Sequence, residues 1–467
     1  MKLANIKDSI RNFWKEFRQV KSGIIGLILF LIFLFAVFFE PLIISFKETN
    51  DVWRDITYWE DLPKNVPPVW TNLFTNQKSA ESVTLQNPEI TQEENGKITI
   101  WSSEFDYEYS SYNPPQDIIF RAFGKGSPMI IIELTRPDGK KVALYQKPVN
   151  LGEGSNIRVS IDSNSKDAVY NFVKQNTSRS NIQNINKDLL APTDYLFSET
   201  NDNFTKKAEP LNGTYKIKIT SIIQNTDTSI SDPYVVIPGS VYGILGTDSY
   251  KRDLWSGVIA GIKWALLIGL LTAVVSVSIG VIYGVISAYL GGWKDSLMMR
   301  IFEIFVSTPL LPVLIVLAAL FKPSIWTLIL MMCAFFWTGS VKTVRSMALQ
   351  IKEETFIEAS KAAGASNFRI IFKHMVPLLI PYSFASMALF IPGAIVYEAS
   401  ISLLGLGDAT IVTWGQILSD AYSSGAMLSG IWWWVVPPGL CIALMGMAFA
   451  FIGFAADKIL HPKLRTR

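Results

Sequence analysis

The sequence is poor in charge, in cysteine and in histidine. Two cysteines and two histidines in 467 residues exclude a disulfide framework and leave little material for a Cys/His metal site. No Ser-His-Asp or Cys-His nucleophile system can be assembled from them; Cys333 and Cys441 fall in apolar runs where packing is their expected role. No G-x-x-x-x-G-K-[ST] stretch occurs, so the chain has no phosphate loop with which to bind and hydrolyse ATP. Charged residues make up 17%, against roughly 25% in soluble domains. A net charge of +3 excludes a strongly basic nucleic-acid binder. Apolar residues are abundant: 49% of the chain is hydrophobic, with 14 Trp and 28 Phe, and the mean hydropathy is +0.28. That composition predicts a polytopic α-helical membrane protein.

Charge along the chain supplies a topology. Apolar runs at Gly23–Ser45, Ile262–Leu290, Ile301–Leu320, Ile325–Gly339, Leu378–Val396 and Trp433–Ala456 predict six transmembrane helices, each judged against a hydrocarbon core of roughly 30 Å. The segment before the first run carries Lys2, Lys7, Arg11, Lys15, Arg18 and Lys21. No A-x-A-like cleavage site follows that run, so a retained anchor is expected rather than a signal peptide. Basic residues recur after the second, fourth and sixth runs, which puts both termini in the cytoplasm. Ile6, Ile10, Phe13, Phe17 and Val20 share one helical face. Residues 1–22 are therefore expected to form an amphipathic helix on the inner membrane surface, in contact with lipid. The first membrane helix is then 23–46.

Residues 47–235 differ. They hold 20 of the 42 basic and 25 of the 39 acidic side chains, leaving 22 basic and 14 acidic elsewhere. This stretch is about −5 and the remainder +8, which makes it an extracellular insert. Short β-prone runs at 97–101, 117–121, 129–133, 141–145, 156–161 and 213–221 predict a mainly-β core at about 77–230, sandwich-like in architecture. Pro137-Asp-Gly139 predicts a hairpin turn, and 165–175 reads as a short helix. The acids Glu104, Asp106 and Glu108 alternate with Phe105 and Tyr107, as on a solvated strand face, although such acids can also bind a cation. Residues 236–467 form the remaining core, with five membrane helices.

The inner loop 353–377 reads as helix, break, helix. Glu354 to Ala363 favours helix, Gly364 permits a sharp turn, Ser366 can cap the next helix, and Pro377 is expected to end it. Ala359, Ser360, Ala362 and Ala363 offer a low-profile face for another protein.

Here a resemblance becomes specific. Glu358, Ala359 and Gly364, with Ser360 in place of a third Ala, resemble the EAA loop of ABC importer permeases. Leu245-Gly-Thr-Asp248, followed by Arg252-Asp253, resembles the LGTD-x-x-GRD segment of the dipeptide/oligopeptide permease C-type subunits, with Lys251 where that family usually has Gly. Glu398-Ala-Ser-Ile-Ser402-Leu-Leu-Gly405-Leu-Gly407, then Trp414-Gly415, resembles their EASLSFLGLG…SWG segment, and His461–Arg465 their tail. The resemblance is loose over 1–60 and close over 236–467, and does not cover about 77–230. It implies a type I ABC importer fold in the plasma membrane of a prokaryote, carrying dipeptides or oligopeptides by alternating access; some relatives carry oligosaccharides. It also implies a second permease subunit, two ABC ATPase subunits that use ATP and Mg, and an extracellular solute-binding lipoprotein. No cofactor, metal or nucleic acid is expected on this chain. The expected ATPase-coupling residues are Glu358, Ala359, Ser360, Gly364, Ser366 and Arg369.

Glu398, Arg252 and Asp253 are candidates for the translocation pathway or outer gate. Glu398 can meet a peptide's amino terminus, cap the Ser400–Ser402 turn, or reach the neighbours of Asp253 through water. Arg252 and Asp253 can form a local ion pair. A membrane sensor with an extracellular ligand-binding domain is the rival of another class, but the basic inner loop carries no kinase or coiled-coil signal.

Overall fold

The computed structural model describes residues 14–46, 49–95, 98–152, 155–177, 186–200, 209–224 and 228–460. The positions Ile6, Ile10 and Phe13 of the expected amphipathic face, and the tail from His461, lie outside them. The chain divides into two compact units: one from the residues up to Arg54 together with those from Ser256 onward, the other Asp55–Trp255.

The first unit is helical. Helix Lys21–Phe38 is apolar along its length and lies against helix Trp432–Leu460. Its contact points are glycines. A Cβ on Gly23 would stand 2.6 Å from the Ala455 Cβ, and one on Gly26 2.6 Å from the Ala448 carbonyl. Small residues let the two backbones approach, a contact on which helix pairs in lipid depend. Helix Leu254–Leu290 runs unbroken for 37 residues. Ile325–Phe336 and Thr338–Lys352 continue one another into a span of 28 residues.

The third apolar run is not one helix. Gly292–Ser307 and Leu310–Leu320 meet at 81°. Pro309 sits at the break, and a residue before proline, here Thr308, is driven out of helical conformation; its ψ is 124°. Among the described residues five helices are long and apolar enough to cross a membrane, or six if this bent pair counts as one span.

Pro377 also departs from expectation. It does not end the helix after Ser366. The helix continues through a π-turn at Ile370–Met375 into Val376–Leu403, giving one span, Asn367–Leu403. A π-turn widens the ring of hydrogen bonds, so a residue with no N–H is accommodated at its exit.

The second unit contains two antiparallel sheets. One has the order β1 (Val83–Leu85), β9 (Ser229–Ile237), β4 (Ile119–Lys125), β7 (Ile157–Arg158). The other runs β2 (Glu89–Asn95), β3 (Ile98–Tyr109), β8 (Gly213–Ile223), β5 (Met129–Thr135), β6 (Lys141–Pro148). Both send side chains into one buried cluster, among them Phe120 and Ile237 from the first sheet and Tyr107, Ile132 and Ile217 from the second. Alternation decides which side chains enter. In β3, Phe105, Tyr107 and Tyr109 are buried while Asp106 and Glu108 are exposed. Two acids of β3 meet a cation from the neighbouring strand: Lys216 lies 2.8 Å from Glu104 and 3.8 Å from Asp106. The hairpin at Pro137–Gly139 joins β5 to β6, with Thr135 opposite Lys141. The helix expected at 165–175 is Ser163–Gln175, capped by Asp162, whose carboxylate accepts from the Ser165 N–H. Arg136 is buried and donates to the carbonyls of Tyr195, Leu196 and Ser198, which pins the C-terminal end of the short helix Pro192–Leu196.

Candidate functional site: the loop 353–377 and its supports

Helix Thr355–Ala362 is short and held by one buried side chain. Ile357 is fully buried, in a cluster with Val285, Ala288, Val344, Ile370 and Met375. These come from three long helices, so the short helix is anchored where they converge. Nearly everything else on it faces outward: Glu358, Ala359, Lys361 and Ala362 are exposed, and Ser360 is half-buried with its hydroxyl donating to the Phe356 carbonyl at 2.7 Å. The termination is a Schellman motif. The Ala365 N–H donates to the Ser360 carbonyl at 3.0 Å and the Gly364 N–H to Lys361 at 2.9 Å, with Gly364 at φ +80°. That left-handed backbone is why glycine stands there. A Cβ on Gly364 would meet nothing within 4 Å, so the requirement is conformational and not steric.

Ser366 then starts the next helix, its hydroxyl accepting from the Arg369 N–H at 3.4 Å. Ser366 and Arg369 are exposed, as are Phe356, Phe368 and Phe372. Tyr289 braces the loop from behind. Its hydroxyl donates to Asn367 Oδ1 at 2.8 Å, and the Lys361 ammonium lies 5.5 Å from its ring centroid. Of the six candidate coupling residues, Glu358, Ala359, Gly364, Ser366 and Arg369 are exposed and Ser360 is half-buried, all within the helix-turn-helix 355–369.

A clasp near this loop went unrecognised in the sequence. Asp295 accepts from Arg345 Nε at 2.8 Å and from Nη2 at 2.5 Å, and also from the Ser287 hydroxyl. Lys352 Nζ donates to the Ala288 carbonyl at 3.2 Å. The available signal was that Asp295 is the first acid after Asp253 in the sequence.

Glu398 lies apart from these residues in the chain. It is 4% exposed, and its Oε1 accepts from the Ser402 and Thr413 hydroxyls, both at 2.8 Å. Thr413 in turn caps helix Trp414–Ser423, accepting from the Gln416 N–H. The carboxylate therefore fastens the end of one helix to the start of the next. The glycines of the surrounding motif have separate reasons. Gly405 has φ +78°. A Cβ on Gly407 would strike the Ser402 side chain, and one on Gly415 would come within 2.7 Å of the Ala399 Cα. Trp414 Nε1 donates to the Val258 carbonyl at 2.9 Å.

Arg252 and Asp253 belong to the other compact unit, and both are buried. Arg252 Nε donates to Asp248 Oδ2 at 2.6 Å. Asp248 Oδ1 also accepts from the Tyr250 and Arg252 N–H groups. Burial raises the Asp248 carboxyl above the usual range, against the pull of Arg252. These contacts shape a turn: Gly246 is left-handed, and so is Lys251, at φ +67°. Glycine adopts such a left-handed backbone without steric cost, and this chain has Lys251 there.

Several helices long and apolar enough to cross a membrane, three of them converging on the short helix Thr355–Ala362, define a multi-pass membrane protein, and comparison with known proteins gives its family. Residues 280–466 match the binding-protein-dependent transport system inner membrane component, and residues 10–68 match the N-terminal TM domain of oligopeptide transport permease C. The chain is 37% identical over 230 residues to the dipeptide transport system permease protein DppC of Bacillus subtilis, covering 49% of this chain and 71% of that one. It is 35% identical over 243 residues to the oligopeptide transport system permease protein OppC of Haemophilus influenzae, covering 52% and 76%. A solved structure of the inward-facing MetNI methionine ABC transporter overlaps 45% of this chain and 97% of that one at 19% identity, with a TM-score of 0.34. The chain belongs to the dipeptide/oligopeptide ABC transporter permease family.

Proposed function

We propose that this chain is the transmembrane permease subunit of an ATP-driven importer that moves dipeptides or oligopeptides inward. The observation that carries the reading is the helix Thr355–Ala362, seated by its one buried side chain, Ile357, and mostly exposed up to its Gly364 stop. A surface of Phe356, Glu358, Ala359, Lys361 and Ala362, held on convergent long helices, can be pushed without being crushed. In this account two ATPase subunits, using ATP and Mg, close on the loop 353–377 and switch the membrane helices between inward and outward access. That is a two-state element biased by nucleotide, as coupling requires.

The reading includes a second permease subunit and a solute-binding lipoprotein outside the cell. It places the chain in the plasma membrane of a prokaryote with both termini cytoplasmic, in a type I importer arrangement, and makes the two-sheet domain a sandwich-like extracellular insert. Neither family match extends into residues 69–279. The test is purification of the chain from its native membrane, identification of the co-purifying subunits, and mass analysis of ligand on the binding protein. Peptides and two ATPases are expected. Oligosaccharide on the binding protein would overturn the substrate class, and a chain that purifies without ATPases would overturn the importer.

A further inference from the structure

Lys251 occupies a position whose backbone disfavours it. Its φ of +67° costs an L-residue roughly 1 kcal/mol relative to glycine. A lysine held there has a side chain with something to do. Its Nζ donates to the Glu60 carbonyl at 2.9 Å. The same carbonyl accepts from Arg158 Nη2 at 2.5 Å. The Glu60 carboxylate accepts from Arg121 at 2.5 Å and from the Asn156 amide at 2.7 Å. Arg121 also holds Asp61 at 2.6 Å, and Arg158 lies 3.4 Å from Asp117.

Glu60 is therefore a hub with arms from two sources. Arg121 is on β4, Arg158 on β7 and Asn156 just before it, all in the two-sheet domain outside both family matches. Glu60 itself lies within the matched segment 10–68. The remaining arm, Lys251, comes from the turn before helix Leu254–Leu290. That turn already grips the neighbouring residues: Thr247 Oγ1 donates to the Pro63 carbonyl at 2.7 Å, and the Asn65 N–H donates to the Asp248 carbonyl at 3.1 Å. The Leu254 N–H closes it on Gly246 at 3.2 Å.

We propose that Lys251 is a strap which fastens the turn Leu245–Asp253, through Glu60, to the inserted two-sheet domain. The strap makes the insert and the turn one mechanical piece. It accounts for a lysine at a left-handed position: what the site selects is the reach of the side chain, at the expense of the backbone.

Strain and strap predict opposite outcomes for one substitution. Lys251→Gly relieves the backbone and removes the arm. Hydrogen exchange measured on the full-length chain in detergent would follow residues 57–62 and 245–253. If the strap operates, Lys251→Gly and Lys251→Met both exchange faster at 57–62, by about two- to tenfold, the range that one net hydrogen bond provides. Lys251→Arg, which keeps a donor at the end of a long arm, restores protection. Unchanged or slower exchange at 57–62 in Lys251→Gly overturns the proposal, and so does an arginine variant that exchanges as fast as the methionine one.

Discussion

Single side chains in this protein act by satisfying one another. Glu398 is an acid in an apolar helix, and its sequence context allowed three roles. The structure gives its Oε1 two hydroxyl donors, Ser402 and Thr413. Glu398→Ala would orphan both and is expected to destabilise the solubilised chain by about 1–3 kcal/mol. Glu398→Gln keeps an acceptor and is expected to cost less than half as much. Thermal unfolding of the two variants against the parent checks the order. Lys251 supplies a pH prediction. Desolvation, then repulsion from Arg158 against the attraction of Asp117, Glu60 and Asp61, lowers its ammonium from near 10.5 to about 8. The folded state then binds fewer protons than the unfolded one between those values. Stability should therefore rise with pH through the window from about 8 to 10.5, and that increment should vanish in Lys251→Met. A melting series across that window, parent against variant, reads the difference; equal slopes would remove the titration from Lys251.

Elements show how far the sequence could be read. The helix-turn-helix 355–369 was legible because its signals are local: a helix-forming run, a glycine where the backbone turns left-handed, a serine at the next N-cap. The hairpin at Pro137–Gly139 was legible for the same reason. β2 and β9 were not. β2 reads Glu89-Ile-Thr-Gln-Glu-Glu-Asn95, nearly all polar, because it is an edge strand paired only with β3. β9 contains Pro233, which ordinarily argues against a strand; its pairing with β4 shifts register nearby, between Arg121 and Phe123. The 81° break and the passage through Pro377 escaped notice because hydropathy reports burial and not direction. At this scale Gly364→Ala is the sharp test. It meets no atom, so its cost of about 1–2 kcal/mol is the left-handed backbone alone, and it should loosen residues 355–369 in hydrogen exchange while leaving the long helices protected. Gly415→Val, by contrast, drives a side chain against Ala399 and should lower the melting temperature of the whole helical unit through about 1–3 kcal/mol of overpacking.

The whole molecule joins an apolar helical unit to a polar two-sheet domain, and the mild hydropathy of the complete chain averages the two. Scarcity of charge belongs to the helical part, which nevertheless holds both cysteines and both histidines, while residues 55–255 contain neither. The chain carries no phosphate loop; in the proposed function the energy comes from partner ATPases and enters at the exposed helix Thr355–Ala362. ATP-driven peptide uptake into liposomes containing the assembled importer tests this most directly, with the parent compared against Glu358→Lys and Gly364→Pro. The account predicts that both variants insert and assemble yet lose uptake and stimulated ATP hydrolysis together. Uptake at the parental rate by both would contradict it.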